Sequence, residues 1–396
     1  MSEIKNTVPG FKGSAVAAGL KKDGALDLAL IVSEREAVAA GVFTTNRVTA
    51  APVILSQEHI KGGKAKAIIV NSGNANACTG KDGLRDAQIT VDLVADALGV
   101  KPEEVLVAST GVIGAPLDMG LISRAVPDLV KGLVPEGLSE VADAIMTTDS
   151  FPKISQFEGK ADGRPFQIMG VAKGAGMIMP QMATMLCFVI TDIGIGAEAL
   201  QKAVSSSAEK TFNRVSVDGD TSTNDTVLVM ANGMAGNGTL SPDGVEGFQK
   251  GLTFVMRDLA TMLVRDGEGA SKLIYVKIKG AATADDALTA ARTIANSSLV
   301  KTAFYGQDPN WGRIMAALGR SGIHMNEEKV SIWVDDVKIV EGGLGTGADH
   351  EKEAAERMTQ REFSLTVDLH QGRHEDMMIT CDLTHKYITI NADYRT

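Results

Sequence analysis

Val171-Ala-Lys-Gly-Ala-Gly-Met-Ile-Met-Pro-Gln-Met-Ala-Thr-Met-Leu-Cys-Phe-Val-Ile-Thr-Asp192 is the stretch on which the reading of this chain turns. A loop punctuated by Gly174, Gly176 and Pro180 runs into Thr184, and a short apolar run rich in β-formers, 185–190, follows it and is closed by Thr191-Asp192. Such a run reads as a buried strand, with Thr184 at its entrance. A threonine hydroxyl is a weak nucleophile and needs a base beside it; one solution is the threonine's own α-amino group. That amine exists only if the Ala183–Thr184 peptide bond is cut. With a pKa of about 8 it accepts the hydroxyl proton near neutral pH, which no internal amide nitrogen can do. The same local pattern also fits an ordinary strand threonine, favoured by β-propensity.

Composition limits what surrounds this stretch. A chain of 396 residues has room for two domains or one large layered one. With 44% hydrophobic and 22% charged residues it has the make-up of a soluble globular protein. A net charge of -10 without any block of clustered Lys and Arg argues against a nucleic-acid partner. Cys78, Cys187 and Cys381 are widely spaced and form no C-x-x-C pair, so neither a disulfide framework nor a zinc site is expected, and a reducing cytoplasm fits. Residues 1–6 lack an apolar signal region, and no apolar run approaches the roughly 18 residues of a spanning helix.

Upstream of Thr184 the chain alternates. Short β-like runs at 28–32 and 50–55 precede a stronger strand at 66–70, which opens into an Asn/Gly loop, 71–80, tolerant of left-handed backbone. Gly80-Lys81 echoes a phosphate loop, but Asp82 stands where Ser or Thr is needed and the glycine spacing is wrong. Helical spacing over 84–98 ends at Gly99, and a strand at 104–108 runs into Ser109-Thr110-Gly111. A hydroxyl and a sterically open N–H at such a junction are the donors an oxyanion needs in acyl transfer. Helices are expected at about 120–133 and 137–146, the second delivering Thr147-Thr148-Asp149, and 165–173 leads as a strand into the central loop.

Downstream the alternation restarts with helix 197–211, a polar loop at 213–226, strand 227–230, helix 243–264, strand 273–278 and helix 283–296. Asp218, Asp220 and Asp225 fail the calcium-loop spacing and read as loop-shaping carboxylates. Strands at 329–334 and 337–340 and a helix at 348–358 follow. The chain then reads as a hairpin of 363–369 and 377–381, with His370 and His374 flanking its exposed turn and no metal site expected there. The mixture of strands and helices gives an α/β (α+β) class with helix-covered sheets.

Several long motifs resemble, in order, the ornithine acetyltransferase (bifunctional glutamate N-acetyltransferase) family of arginine biosynthesis. They are Lys173-Gly-Ala-Gly-Met-Ile-Met-Pro-Gln-Met-Ala-Thr-Met-Leu186, the loop 71–80, Ser109-Thr-Gly-Val-Ile-Gly114, Met146-Thr-Thr-Asp149, 213–226, Arg265-Asp-Gly-Glu-Gly-Ala-Ser-Lys272 and Gln307-Asp-Pro-Asn-Trp-Gly-Arg313. The resemblance implies a layered αββα sandwich like that of N-terminal-nucleophile enzymes. It is built from two self-cleaved segments, 1–183 and 184–396, which form one intertwined core and assemble as an α2β2 heterotetramer. It implies ping-pong acetyl transfer from N2-acetyl-L-ornithine to L-glutamate through an acetyl-Thr184 intermediate, with Thr110 and Gly111 on the oxyanion and no metal or organic cofactor. Acetyl-CoA as a second donor divides members of the family. Substrate contacts carried over are Thr147 with its neighbour Thr148, Lys173, Thr184, Glu268, Asn391 and Thr396. Lys173 is expected to meet a substrate carboxylate and Glu268 the ornithine ammonium. The runner-up is an N-terminal-nucleophile amidohydrolase or aminopeptidase, which would pass the same acyl group to water.

Overall fold

The computed structural model describes residues 7–179 and 185–393, in two compact units. Thr184, its neighbour Ala183 and the terminal Thr396 lie outside the described residues. Among the described residues the first unit comprises 7–179, 185–213 and 220–263, and the second 214–219 and 264–393.

In chain order the first unit runs β1 (Phe11–Val16), β2 (Leu28–Phe43), α1 (Ala51–His59), β3 (Lys64–Asn71), α2 (Gly80–Leu98), β4 (Val105–Ser109), α3 (Met119–Lys131), α4 (Leu138–Ala144), β5 (Lys153–Ala161), β6 (Arg164–Lys173), β7 (Leu186–Thr191) and α5 (Ala197–Lys210). After β8 (Val215–Ser216), which joins the second sheet, come β9 (Thr226–Ala231) and α6 (Pro242–Arg265). Among the described residues the strands form one sheet in the order β4-β3-β2-β9-β7-β6-β5, with β1 beside β2.

That sheet is doubled over. Five strand spacings separate β4 from β6, about 24 Å in a flat sheet, yet the side chains of Thr110 and Lys173, at the ends of these two strands, are 3.3 Å apart. The bend falls in β2, whose 16 residues carry a register irregularity between Val32 and Ala37, the device by which strands turn corners. Ile31, Ile68, Leu106, Val171, Phe188 and Met230 consequently share one inner apolar layer. The alternate side chains Leu30, Ile69 and Val107 pack outward under α2 and α3 through Val91, Val94 and Ile122. On the opposite outer side, Gln201 of α5 bonds both the N–H and the carbonyl of Gly41, and Val255 and Leu259 of α6 close over Gly170. The layers are therefore α/β/β/α, as the resemblance implied.

Strands from both sides of residue 184 build this sheet. β7 lies between β6 and β9, and β9 between β7 and β2. The polar run 33–36 is itself part of β2, so the β-like run at 28–32 is only the first part of a longer strand.

The reading of 50–55 as a strand is corrected. Ala51–His59 is helix α1, entered from extended Ala50 with Pro52 in the first turn, where a missing N–H costs nothing. Val53 and Ser56, three apart, are buried while Ile54 is exposed, a helical rather than alternating pattern.

The second unit continues with β10 (Leu273–Ala281), α7 (Ala284–Ala295), α8 (Ser298–Tyr305), α9 (Trp311–Gly319), β11 (Ser331–Val334), β12 (Val337–Glu341), β13 (Leu344–Gly345), α10 (Ala348–Met358), β14 (Glu362–Asp368), β15 (His374–Cys381) and α11 (His385–Asp393). Its sheet order is β13-β12-β11-β14-β10-β15-β8, with α7, α8, α9 and α10 packed on an apolar face that includes Ile274, Val276, Leu365 and Met378. The expected hairpin of 363–369 with 377–381 does not form. β10 lies between them, parallel to β14 and antiparallel to β15. His370, at the turn with φ +47°, reaches Ser331 with Nε2.

Candidate active site

Where β3 and β4 end, side chains replace the missing strand partners, as buried backbone groups require. The Ser109 hydroxyl donates to Asn71 Oδ1 (2.6 Å), Asn71 Nδ2 to the Asn74 carbonyl (2.8 Å), and the Thr110 N–H to the Asn71 carbonyl (3.0 Å). Asn224, just before β9, donates to the carbonyls of Ala75 and Ser109 at 2.7 and 2.9 Å. Three separate loops are thereby locked together. Gly111 has φ +130°, and a Cβ there would lie 2.4 Å from the Gly73 carbonyl carbon, so only glycine allows this approach.

Thr110 follows β4 directly and is buried. Lys173, the last residue of β6 and 3% exposed, extends to it: Nζ donates to Thr147 Oγ1 at 2.7 Å and to Thr110 Oγ1 at 3.3 Å. The lysine contact thus falls on Thr147 of the Thr147-Thr148 pair.

Asp149 is the hub beneath them. Its Oδ1 accepts from Lys153 Nζ (2.7 Å) and the Gly174 N–H (2.6 Å), its Oδ2 accepts from the Thr147 N–H (2.9 Å), and Lys173 Nζ lies 4.0 Å from Oδ2. Burial would push its carboxyl up, but the Lys173 and Lys153 ammoniums and these donors outweigh it and hold Asp149 below the usual carboxylate range. Lys21, half-buried, donates to the Leu26 and Ala144 carbonyls, and burial lowers its pKa.

Just ahead of β7, the Met185 N–H donates to Asp225 Oδ1 at 3.0 Å. Asp225 is fully buried, and burial pushes its carboxyl well above the usual range. Asp225 was read from sequence as loop-shaping, and it does pin the 222–226 loop to β7; Asp218 instead belongs to the second unit, bonded by the Tyr387 hydroxyl.

In the second unit Glu268 is buried on the turn between α6 and β10, and Asn391 Nδ2 of α11 donates to its Oε2 at 2.7 Å. Asn391 therefore sits on a helix. The turn is seated against α11: Gly269 has φ +70°, a Cβ there would lie 2.6 Å from the Tyr387 nitrogen, and the Thr384 hydroxyl donates to the Gly269 carbonyl.

Sequence reasoning did not single out Asp149, Lys153, Asn71 or Asn224 as members of the site. The one available signal was the position of Asp149 in Met146-Thr-Thr-Asp149, two residues after Thr147.

The sequence profile of the ArgJ family matches residues 12–396. The chain is 50% identical over 392 residues to the arginine biosynthesis bifunctional protein ArgJ of Geobacter sulfurreducens, covering 98% of this chain and 100% of that protein. It is 47% identical over 399 residues to the glutamate N-acetyltransferase of Methanocaldococcus jannaschii, covering 98% and 97%. Among solved structures, the arginine biosynthesis bifunctional protein argJ of Bacillus halodurans is similar at 43% identity and a TM-score of 0.49, over 51% of this chain and 96% of that one.

Proposed function

The chain belongs to the ArgJ family, and from that membership we propose that it moves an acetyl group from N2-acetyl-L-ornithine to L-glutamate through an ester on Thr184. It is an acyltransferase of arginine biosynthesis. The observation that carries the finer reading is the convergence of Thr110, Thr147 and Lys173 at the strand ends, in the sheet where β7 begins two residues after Thr184.

In this mechanism water first cleaves the Ala183–Thr184 bond, leaving a carboxylate on Ala183 and freeing the Thr184 α-amine. The amine takes the hydroxyl proton as Oγ attacks the acetyl carbonyl. Charge develops on the carbonyl oxygen, where the Thr110 hydroxyl and the Gly111 N–H donate. The amine then returns the proton to the departing ornithine nitrogen. Glutamate enters, its neutral amine attacks the ester and gives a proton to the Thr184 α-amine, which passes it to the departing Thr184 Oγ, and N-acetylglutamate leaves with Thr184 restored. No redox or metal chemistry is called on. Lys173 meets the substrate carboxylate beside Thr147, Glu268 with Asn391 takes the ornithine side-chain ammonium, and Thr396 completes the substrate contacts. Acetyl-CoA serves as a second donor in a bifunctional member. The two segments remain associated, as an α2β2 assembly, and the free thiols Cys78, Cys187 and Cys381 support a cytoplasmic location.

The test incubates purified protein with N2-acetyl-L-ornithine and L-glutamate and follows both products, with acetyl-CoA plus glutamate as a separate arm. Intact mass should show two fragments, the second beginning Thr-Met-Leu-Cys. Thr184→Ala should stay uncut and inactive, and Thr184→Ser should cut slowly. A fully active single chain would overturn the nucleophile assignment.

A further inference from the structure

We propose that Lys173 is a positioning residue for the chemistry itself, acting through Thr110: its ammonium fixes the direction of the Thr110 hydroxyl proton, and Asp149 holds it in place. This rests on the reading of Thr110 as an oxyanion donor and adds to the substrate contact assigned to Lys173 above.

An ammonium has donors and no acceptor, whereas a hydroxyl has one donor and two acceptor sites. In the 3.3 Å contact between Lys173 Nζ and Thr110 Oγ1 the lysine must therefore donate and the threonine accept. Among the described residues this is the hydrogen bond that Thr110 Oγ1 makes, so none of them takes its proton. A free threonine hydroxyl would rotate and turn a lone pair to the oxyanion part of the time, which repels it. With one lone pair taken by a cation, the hydroxyl is oriented as a donor before substrate arrives, and its O–H bond is polarised by the charge.

Lys173 is itself oriented. It is buried, its second donor goes to Thr147 Oγ1 at 2.7 Å, and the Asp149 carboxylate, 4.0 Å from Nζ, also takes the N–H of Gly174, the next residue. The Thr147 N–H ends on the same carboxylate. One buried carboxylate thus fixes the lysine, its peptide and its second hydroxyl partner.

A lysine that only bound the substrate carboxylate would affect KM, and only for donors that carry one. A lysine that orients Thr110 affects kcat for every donor, and its effect vanishes once Thr110 is gone. The test is a double-mutant cycle of Lys173→Met and Thr110→Ala, with turnover per cleaved chain measured on N2-acetyl-L-ornithine and on its carboxamide. Lys173→Met leaves Asp149 paired with Lys153, so the fold should hold; should it not, Lys173→Gln runs the same cycle with a smaller loss. Where cutting itself stalls, the cycle is read on the rate at which the precursor is cut, since that step passes through a similar tetrahedral species.

Thr110→Ala is expected to lower kcat roughly a hundredfold, and Lys173→Met roughly ten- to a hundredfold on both donors. The double variant should be little slower than Thr110→Ala alone, and Lys173→Arg should recover much of kcat. Losses that multiply, or a loss confined to KM of the carboxylate donor, would overturn the proposal while leaving the oxyanion assignment standing. A wild-type kcat in Thr110→Ala would instead sink the oxyanion assignment and the proposal with it.

Discussion

Asp225 has one carboxyl oxygen on the Met185 N–H and the other, Oδ2, buried without a hydrogen-bond partner among the described residues. Burial raises its folded-state pKa, so the folded chain keeps a proton over a pH range in which the unfolded chain has lost it. Stability is then full below the unfolded value of about 4 and falls as pH rises toward the folded value, by up to about 1.4 kcal/mol per pH unit in that window. Asp225→Asn keeps the acceptor for Met185 and cannot ionise. Urea unfolding of the two proteins from pH 4 to 8 should show wild type losing ground to the variant as pH rises; a constant difference would show that Asp225 does not titrate there. For Glu268 the expectation concerns choice of substrate. Glu268→Gln keeps shape and the Asn391 contact but removes the charge, so kcat/KM for N2-acetyl-L-ornithine should drop roughly ten- to a hundredfold while cutting before Thr184 is unchanged. An N-acetylated amino acid of similar length without a side-chain charge should be used as before; equal losses on both donors would make Glu268 structural.

Elements meet most tightly where β1 crosses the start of α4. Gly13 and Val134 exchange N–H···O bonds of 2.9 and 3.0 Å, and a Cβ on Gly137 would lie 1.9 Å from the Gly13 carbonyl oxygen. Backbone faces backbone, so no side-chain rotation relieves the clash. Gly137→Ala should cost at least the roughly 1–3 kcal/mol of an overpacked core, whereas Gly238→Ala, with open space around it, should leave the melting temperature near wild type. Element type was legible wherever period and length agreed: 84–98, 243–264 and 348–358 are helices, the run 120–133 is helical to Lys131, 66–70, 227–230 and 273–278 lie in strands, and the run 185–190 is strand from Leu186. What sequence could not convey was partnership. Nothing in 363–381 states that a strand eighty residues upstream fills the space between its two halves. The Pro52 turn was read for its β-branched composition instead of its 3-residue burial spacing. Likewise Thr110 and Lys173 were each legible from motifs, but their contact follows from a doubled-over sheet, and Asp149 gains its place only from that contact.

For the whole molecule, the sheet order decides what the proposed cut between Ala183 and Thr184 can do. β7 and β9 follow the Ala183–Thr184 junction, and they sit between β2 and β6, which precede it. Each is bonded on both edges: Leu186–Thr191 pairs with both β6 and β9, and Thr226–Ala231 with both β2 and β7. The two fragments should therefore co-elute as one species under native conditions and part only in denaturant; elution of a free fragment would contradict this interleaving.

The same interleaving carries a sense of time. Before the proposed cut, the ends of β6 and β7 are tied by a short tether, so their pairing is a first-order event at an effective concentration in the millimolar range. After it, the strands can be laid beside one another only by an encounter between separate molecules. Mature protein unfolded in urea should thus recover at a rate and yield that rise with its concentration, while Thr184→Ala precursor recovers independently of it. The proposed cut would convert a chain that can refold by itself into one that remembers having been folded once.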